Sequence, residues 1–291
     1  MRYKLYDTLL KQLGAKDLTV QLNNTKQLSY DQPPVTEVAC SVLFNSIDEI
    51  LTSHIGLLWG LFQPEYPFSD DVVPIAPRIE LFGNPVIETQ VELNNVPALP
   101  RVWFISSDET RIIQIQRDRL IHNWRKLGSD SEYPRYDSII QAFQEHLSTF
   151  DTFLRQSDIG QIEPIQYEMI YVNKIPQGEA WKTFEDIGKI FPDFAWRTDS
   201  QRFLSEPKTI NWITTFELPD EIGRLYVVIR HTIDEENHPL LLFELTVRGI
   251  GSHSSFESMK SWFDIAHAWV VQAFADLTAE IIQTEIWKRK R

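Results

Sequence analysis

The sequence predicts an α+β fold: a tandem duplication of one β-α-β(3-4)-α unit, its antiparallel sheet carrying long helices on one face. Three observations predict it. Runs rich in β-branched residues alternate apolar and polar side chains over strand lengths. Two long segments carry apolar residues at intervals of three and four, as a helix with one buried face does. The order strand, helix, strands, long helix runs twice along the 291 residues, and IIQAFQEHL (139–147) is echoed by VVQAFADLT (270–278), 131 positions on.

Residues 1–30 read as an N-terminal extension, in which Leu5, Leu9, Leu10 and Leu13 keep helical spacing and Gly14 offers a stop. The first repeat spans 31–160. PVTEVACSVLF (34–44) is a strand, closed by Asn45-Ser46. A helix follows over 48–62, with Ile50, Leu51, His54, Leu57, Leu58 and Leu61 as its apolar stripe and Pro64 as its stop. Residues 64–100 are proline-rich, with IELFG and VIETQVEL as short strands between loops. RVWFISSD (101–108) and RIIQIQRDRLIHNWR (111–125) form a strand pair. On the second of them Ile113 and Ile115 face one way and Gln114 and Gln116 the other, which predicts a solvated sheet face. Tyr136–Gln156 is a helix, its face drawn by Ile140, Phe143, Leu147, Phe150 and Leu154, closed at Asp158-Ile159-Gly160.

The second repeat spans 161–291. PIQYEMIYVNKI (164–175) is its first strand and TFEDIGKIFPDF its short helix. NWITTFELP, RLYVVIRHTID and PLLLFELTVRGI are three strands, and one long helix runs from about 255 to 288. Such a unit can curl its sheet around the terminal helix, and two units can join edge to edge, which removes two exposed edges. TATA-binding-protein-like and helix-grip folds share this layout, and the two repeats are expected to form one continuous sheet.

Charge and composition exclude several function classes. Lys and Arg number 28 against 41 Asp and Glu, a net charge of −13 that repels nucleic acid and anionic lipid. The single Cys40 forbids an internal disulfide and a thiolate zinc site, and its strand context predicts a packed core thiol. No run reaches the ~20 apolar residues of a membrane helix, and the N-terminus is too polar for a signal peptide, so a cytoplasmic protein is expected. The sequence holds no glycine-rich phosphate loop, no HExxH and no GxSxG, and it points to no cofactor and no resident metal.

The binding candidate is RDRLIHNWRK, where Arg117, Arg119, His122, Trp124, Arg125 and Lys126 concentrate positive charge and aromatic surface on an acidic chain. Guanidinium groups take carboxylate or phosphate in two-point fashion and an indole can stack on a base. Cross-strand pairing with acidic neighbours is the competing structural account. Asp264 and His267 are one helical turn apart, but a hydrogen-bonded core histidine is the stronger reading. His231, His238 and His253 flank the acidic DEENH tip, read as a solvated hairpin.

The segments PPVTEVACSVLF, GLLWGLFQPEYP, IQIQRDRLIHNWRK, YPRYDSIIQAFQEHLSTF, IEPIQYEMIYVNKI and FDIAHAWVVQAFADLT together resemble a sporadically distributed bacterial family of about this length with PPVTEV…YVN-type motifs. In that family arginine often precedes the YVN; EMIYVN here lacks it, so no anion-binding role is carried over. The resemblance implies a role accessory to a defence or toxin-neutralising system. The expected function is a non-enzymatic interaction protein with a protein partner or a second copy of itself. One alternative is a sensor of a ligand, nucleotide or single strand, using Arg117–Lys126. Another is an enzyme with a cleft site, such as His267 with Glu244 or Arg248.

Overall fold

Nine strands make one antiparallel sheet in the computed structural model, which describes residues 28–82, 99–128, 131–194, 203–249 and 256–290. In chain order the strands are β1 (Val35–Phe44), β2 (Phe68–Val72), β3 (Arg101–Ile105), β4 (Arg111–Gln116), β5 (Arg119–Arg125), β6 (Pro164–Pro176), β7 (Asn211–Glu217), β8 (Arg224–Ile233) and β9 (Pro239–Gly249). The helices are α1 (Thr52–Phe62), α2 (Arg135–Gln156), the single turn α3 (Ile187–Ile190), α4 (Phe256–Leu277) and α5 (Glu280–Glu285). Across the sheet the order is β2-β3-β4-β5-β1-β6-β9-β8-β7. The first strand of each half therefore lies at the centre, Val38 opposite Tyr171 and Cys40 opposite Met169.

One face of the sheet is apolar because strand alternation puts Val38, Cys40, Val42, Ile113, Phe243 and Leu245 on it, all without solvent exposure. Both long helices cover this face. α2 packs on β5 and β1, α4 packs on β6 and β9, and the two helices touch. Their meeting point is Phe143 against Phe263, ring centroids 5.1 Å apart and both fully buried. Each buried ring contributes about 1.5–3 kcal/mol from water exclusion. α2 ends in a Schellman-type cap: Asp158 is left-handed at φ 53, its N–H donates to the Arg155 carbonyl, and the Ile159 N–H donates to the Leu154 carbonyl. Gly249 lies where α4 passes β9, and a Cβ there would fall 2.0 Å from the Ile222 carbonyl oxygen and 2.9 Å from the Trp262 indole nitrogen.

Several expected elements differ. The long strand at 111–125 is a hairpin turning at Arg117-Asp118, since the polar RDR triplet breaks the alternation. α1 begins at Thr52 and buries Leu58 and Phe62, whereas Leu51, Leu57 and Leu61 of the predicted stripe are exposed. The strand expected at IELFG is absent over 79–82, and one forms instead at Phe68–Val72, paired with the edge of β3. The last helix breaks at Thr278-Ala279, leaving Ile281 exposed on α5. The echoed phrases lie at different distances from their helix starts, Phe143 in the third turn of α2 and Phe274 in the last turn of α4, and Phe143 packs on Phe263. The predicted extension helix at 5–13, the segment VIETQVEL and His253 lie outside the described residues. Among the described residues no helix is long and apolar enough to cross a membrane.

Candidate functional site

The face of the sheet opposite the helices is polar, and the chain itself crosses it. After β2, residues 73–82 (VPIAPRIELF) run as an extended strap from β4 towards β8. Proline at positions 74 and 77 suits this path, since it fixes φ and cannot join a ladder. Two glutamines hold the main chain of the strap. Gln116 on β4 accepts from the Ile75 N–H (2.8 Å) and donates to the Ile75 carbonyl (3.2 Å). Gln166 on β6 accepts from the Glu80 N–H (2.9 Å) and donates to the Arg78 carbonyl (2.8 Å). Each amide reads both polar groups of the strap's backbone and none of its side chains, and Gln116 also donates to Asp118 (3.1 Å).

The far end is fastened by a buried carboxylate. Glu80 accepts from Arg224 Nη1 (3.0 Å), Arg248 Nη1 (3.3 Å) and the Tyr226 hydroxyl (2.7 Å). Arg248 also bonds Glu168. Burial, then the bond to Glu80, raises the Tyr226 hydroxyl to about 12, so it stays a donor. Glu80 and Arg224 are both buried. Breaking such a pair by removing one partner costs about 3–5 kcal/mol if the other stays dry. By contrast Val73, Ile79 and Leu81 of the strap are 79%, 41% and 48% exposed. Its attachment is polar rather than hydrophobic.

Between strap and sheet lies a pocket of about 330 Å³. Arg119 lines it at 7% exposure, with its Nε free of any hydrogen bond and 3.5 Å from the Asp118 carboxylate. Arg101 also faces the pocket; its Nη1 bonds Gln114 (2.8 Å) and its Nε has no partner. Burial, then the charge of Arg119, lowers the pKa of Arg101. Glu37 stands further along, accepting from Asn123 (2.6 Å), its carboxyl raised chiefly by burial. A buried guanidinium without a full set of acceptors is costly, and a carboxylate entering beside Arg101 and Arg119 would relieve it.

The structure divides the predicted basic-aromatic set between two faces. Arg119 points to the open face. His122 and Trp124 point to the helices and are buried, His122 against His146 (4.9 Å) and Trp124 against Tyr133 (5.4 Å). Strand alternation imposes this, since Arg119 and the pair His122, Trp124 differ in parity. Arg117 sits in the hairpin turn and donates to the Ile50 carbonyl (3.0 Å). Arg125 bonds the Glu109 carbonyl (2.8 Å), and Lys126 is exposed. These six residues form no single patch, and Trp124 has no face free to stack on a base.

The wet face expected from Gln114 and Gln116 is also corrected: both are buried, Gln116 by the strap. His267 does not converge with Glu244 or Arg248, which belong to the opposite face of β9. Instead His267 Nδ1 bonds the Tyr171 hydroxyl (3.0 Å). His238 sits exposed beside Asp234 and Glu236, and His231 packs on Trp181 and Phe184. The residues missed were Glu80, Gln166, Arg224 and Tyr226, and Arg248 was paired with the wrong face. Their signal was polar alternation along RLY, LTVR and IQYE, which marks a face without telling what covers it.

No protein-family model matches the chain, and no curated protein matches it. Among solved structures the chain is similar to DynU16, a putative protein in the dynemicin biosynthetic locus, at 12% identity, covering 83% of this chain and 97% of that one. The TM-score is 0.22, at which the likeness carries no argument.

Proposed function

We propose that this chain is a non-enzymatic binding protein whose open sheet face receives an extended, acidic segment of a protein partner, residues 73–82 being the resident occupant. The observation that carries the reading is the pair of two-point bonds from Gln116 and Gln166 to the main chain of the strap. Recognition of an extended backbone by fixed polar groups, with pockets for alternate side chains, is a general mode of peptide binding. Arg101 and Arg119, whose Nε atoms make no hydrogen bond, supply the preference for an acidic side chain. The polar attachment and exposed apolar side chains of the strap favour exchange.

The finer architecture belongs to the same proposal. A duplicated, TATA-binding-protein-like saddle is supported by the strand order, which runs outward on both sides of the central β1–β6 pair, and by the meeting of Phe143 with Phe263. The resemblance to the bacterial family with PPVTEV…YVN-type motifs extends the reading to a cytoplasmic partner in defence or toxin neutralisation.

The test supplies the strap from outside. A fluorescently labelled VPIAPRIELF peptide is titrated by anisotropy into the full chain and into Glu80→Ala. Binding to the variant at least about tenfold tighter than to the parent is expected, because the tethered copy competes at high effective concentration in the parent. No binding to the variant, or equal binding of a scrambled peptide, overturns the proposal.

A further inference from the structure

On the helix side of the sheet a second cavity of about 840 Å³ opens between the start of α2, the length of α4, and the central strands. Nothing in the peptide-binding reading uses it. One part of its wall is apolar, formed by Val35, Leu245, Val270, Val271 and Phe274. Another is a buried polar corner built from both halves of the chain. The Tyr133 hydroxyl bonds the Tyr171 hydroxyl (2.9 Å), which bonds His267 Nδ1 (3.0 Å). Tyr136 lies flat on the His267 ring, centroids 4.1 Å apart and planes within 6°, and donates to Asp264 (2.7 Å).

His267 is half-buried by surface yet enclosed by protein, so the surface it keeps is cavity wall. Its Nδ1 is engaged, and its Nε2 has no hydrogen-bond partner among the described residues. Whichever tautomer it adopts, it offers the cavity one further bond, since the tyrosine chain can reverse direction to suit. The charged side chains that line the cavity, Arg135, Asp137, Lys260 and Asp264, all keep contact with solvent. Burial keeps His267 neutral, with its pKa lowered to about 4, and pushes the Tyr171 and Tyr136 hydroxyls up. Lys260 pairs with Asp264 (2.8 Å), and Arg135 is exposed at the rim and bonds the Tyr30 carbonyl. A cavity of this size, largely apolar with a few convergent polar groups, has the form of a small-molecule site.

We propose that this cavity binds an uncharged, mainly apolar molecule bearing one hydroxyl or carbonyl group, which meets Nε2 of His267 while its body fills the space between Val35, Leu245 and Val271. A charged ligand would lose its hydration beside the neutral His267 and Tyr171, with Asp264 and Lys260 already paired to each other (2.8 Å). A fully apolar one would leave the imidazole bond unmade.

The experiment titrates the full chain with three probes of one size: 2-naphthol, naphthalene and naphthalene-2-sulfonate, followed by fluorescence and by calorimetry. Saturable one-to-one binding of 2-naphthol is expected, about tenfold tighter than naphthalene, as one hydrogen bond supplies, with the sulfonate weakest. His267→Phe should erase the preference for naphthol over naphthalene and keep both bound. Val271→Trp should abolish all three by filling the cavity, with the circular-dichroism spectrum unchanged. Should Val271→Trp fail to fold, the His267→Phe comparison decides alone. Absence of saturable naphthol binding, a preference for the sulfonate, or a naphthol preference that survives His267→Phe overturns the inference.

Discussion

On β4 the side chains of Ile113 and Ile115 turn to the helices and those of Gln114 and Gln116 turn to the strap, and all four are buried. The helix face is closed by ring-on-ring and aliphatic contact, with Phe143 on Phe263 and Phe243 on Phe274 (5.7 Å). The open face is closed by amides, arginines and one glutamate, with little apolar surface sealed by the strap itself. An apolar contact cannot be traded for water without loss, whereas a hydrogen bond can be exchanged for one to water or to another chain at a net cost of about 1 kcal/mol. Burial alone therefore does not tell which face is permanent. The bonding type separates them, apolar packing on the helix face and polar bonds on the open face, and the proposed exchange belongs to the second.

The largest effect that separates the two faces is expected at Phe263. Phe263→Ala removes the central ring of the α2–α4 contact and should cost about 3–5 kcal/mol, read as a lower midpoint in urea unfolding with the slope unchanged. A loss below about 1 kcal/mol would mean that the helices are not anchored there.

Acid should act mainly through the helix face. Burial lowers His146 and His267 to about 4, and His122 is lowered as well, first by burial and then by the neighbouring His146. Below the ordinary histidine value of 6.5 the unfolded chain takes up protons that the folded chain refuses until pH falls towards 4. These groups therefore withdraw stability as pH falls through that window and withdraw none above it. A His146→Gln, His267→Gln double variant should flatten the pH dependence of the thermal midpoint between 6.5 and 4. An unchanged slope would show that neither histidine is held neutral by the fold.

Much of the scaffold was legible in the sequence because it rests on periodicity. Ile140, Phe143, Leu147, Phe150 and Leu154 are buried along α2, and β6 to β9 fall where β-branched runs mark them. The repeated VQAF phrase marks buried turns in both helices, Phe143 in α2 and Phe274 in α4, but at different distances from the helix starts, so letters alone do not tell which turns meet. The candidate site was illegible for a different reason. Arg119 was identified, but grouping it with Trp124 and His122 ignored the change of face within one strand. The Glu80 latch joins residues 144 and 168 positions apart in the chain. No local pattern reports such a contact, and IELF reads as an apolar run with one charge in it.

The central claim is that residues 73–82 are held on the open face by polar bonds that can be released without opening the helix face. Hydrogen–deuterium exchange by mass spectrometry on the parent and on Glu80→Ala measures this directly. Exchange across 73–82 should accelerate by about tenfold or more in the variant, with β1, β6 and β9 as protected as before. Unchanged protection of the strap, or a loss of protection spread equally over the central strands, would contradict it.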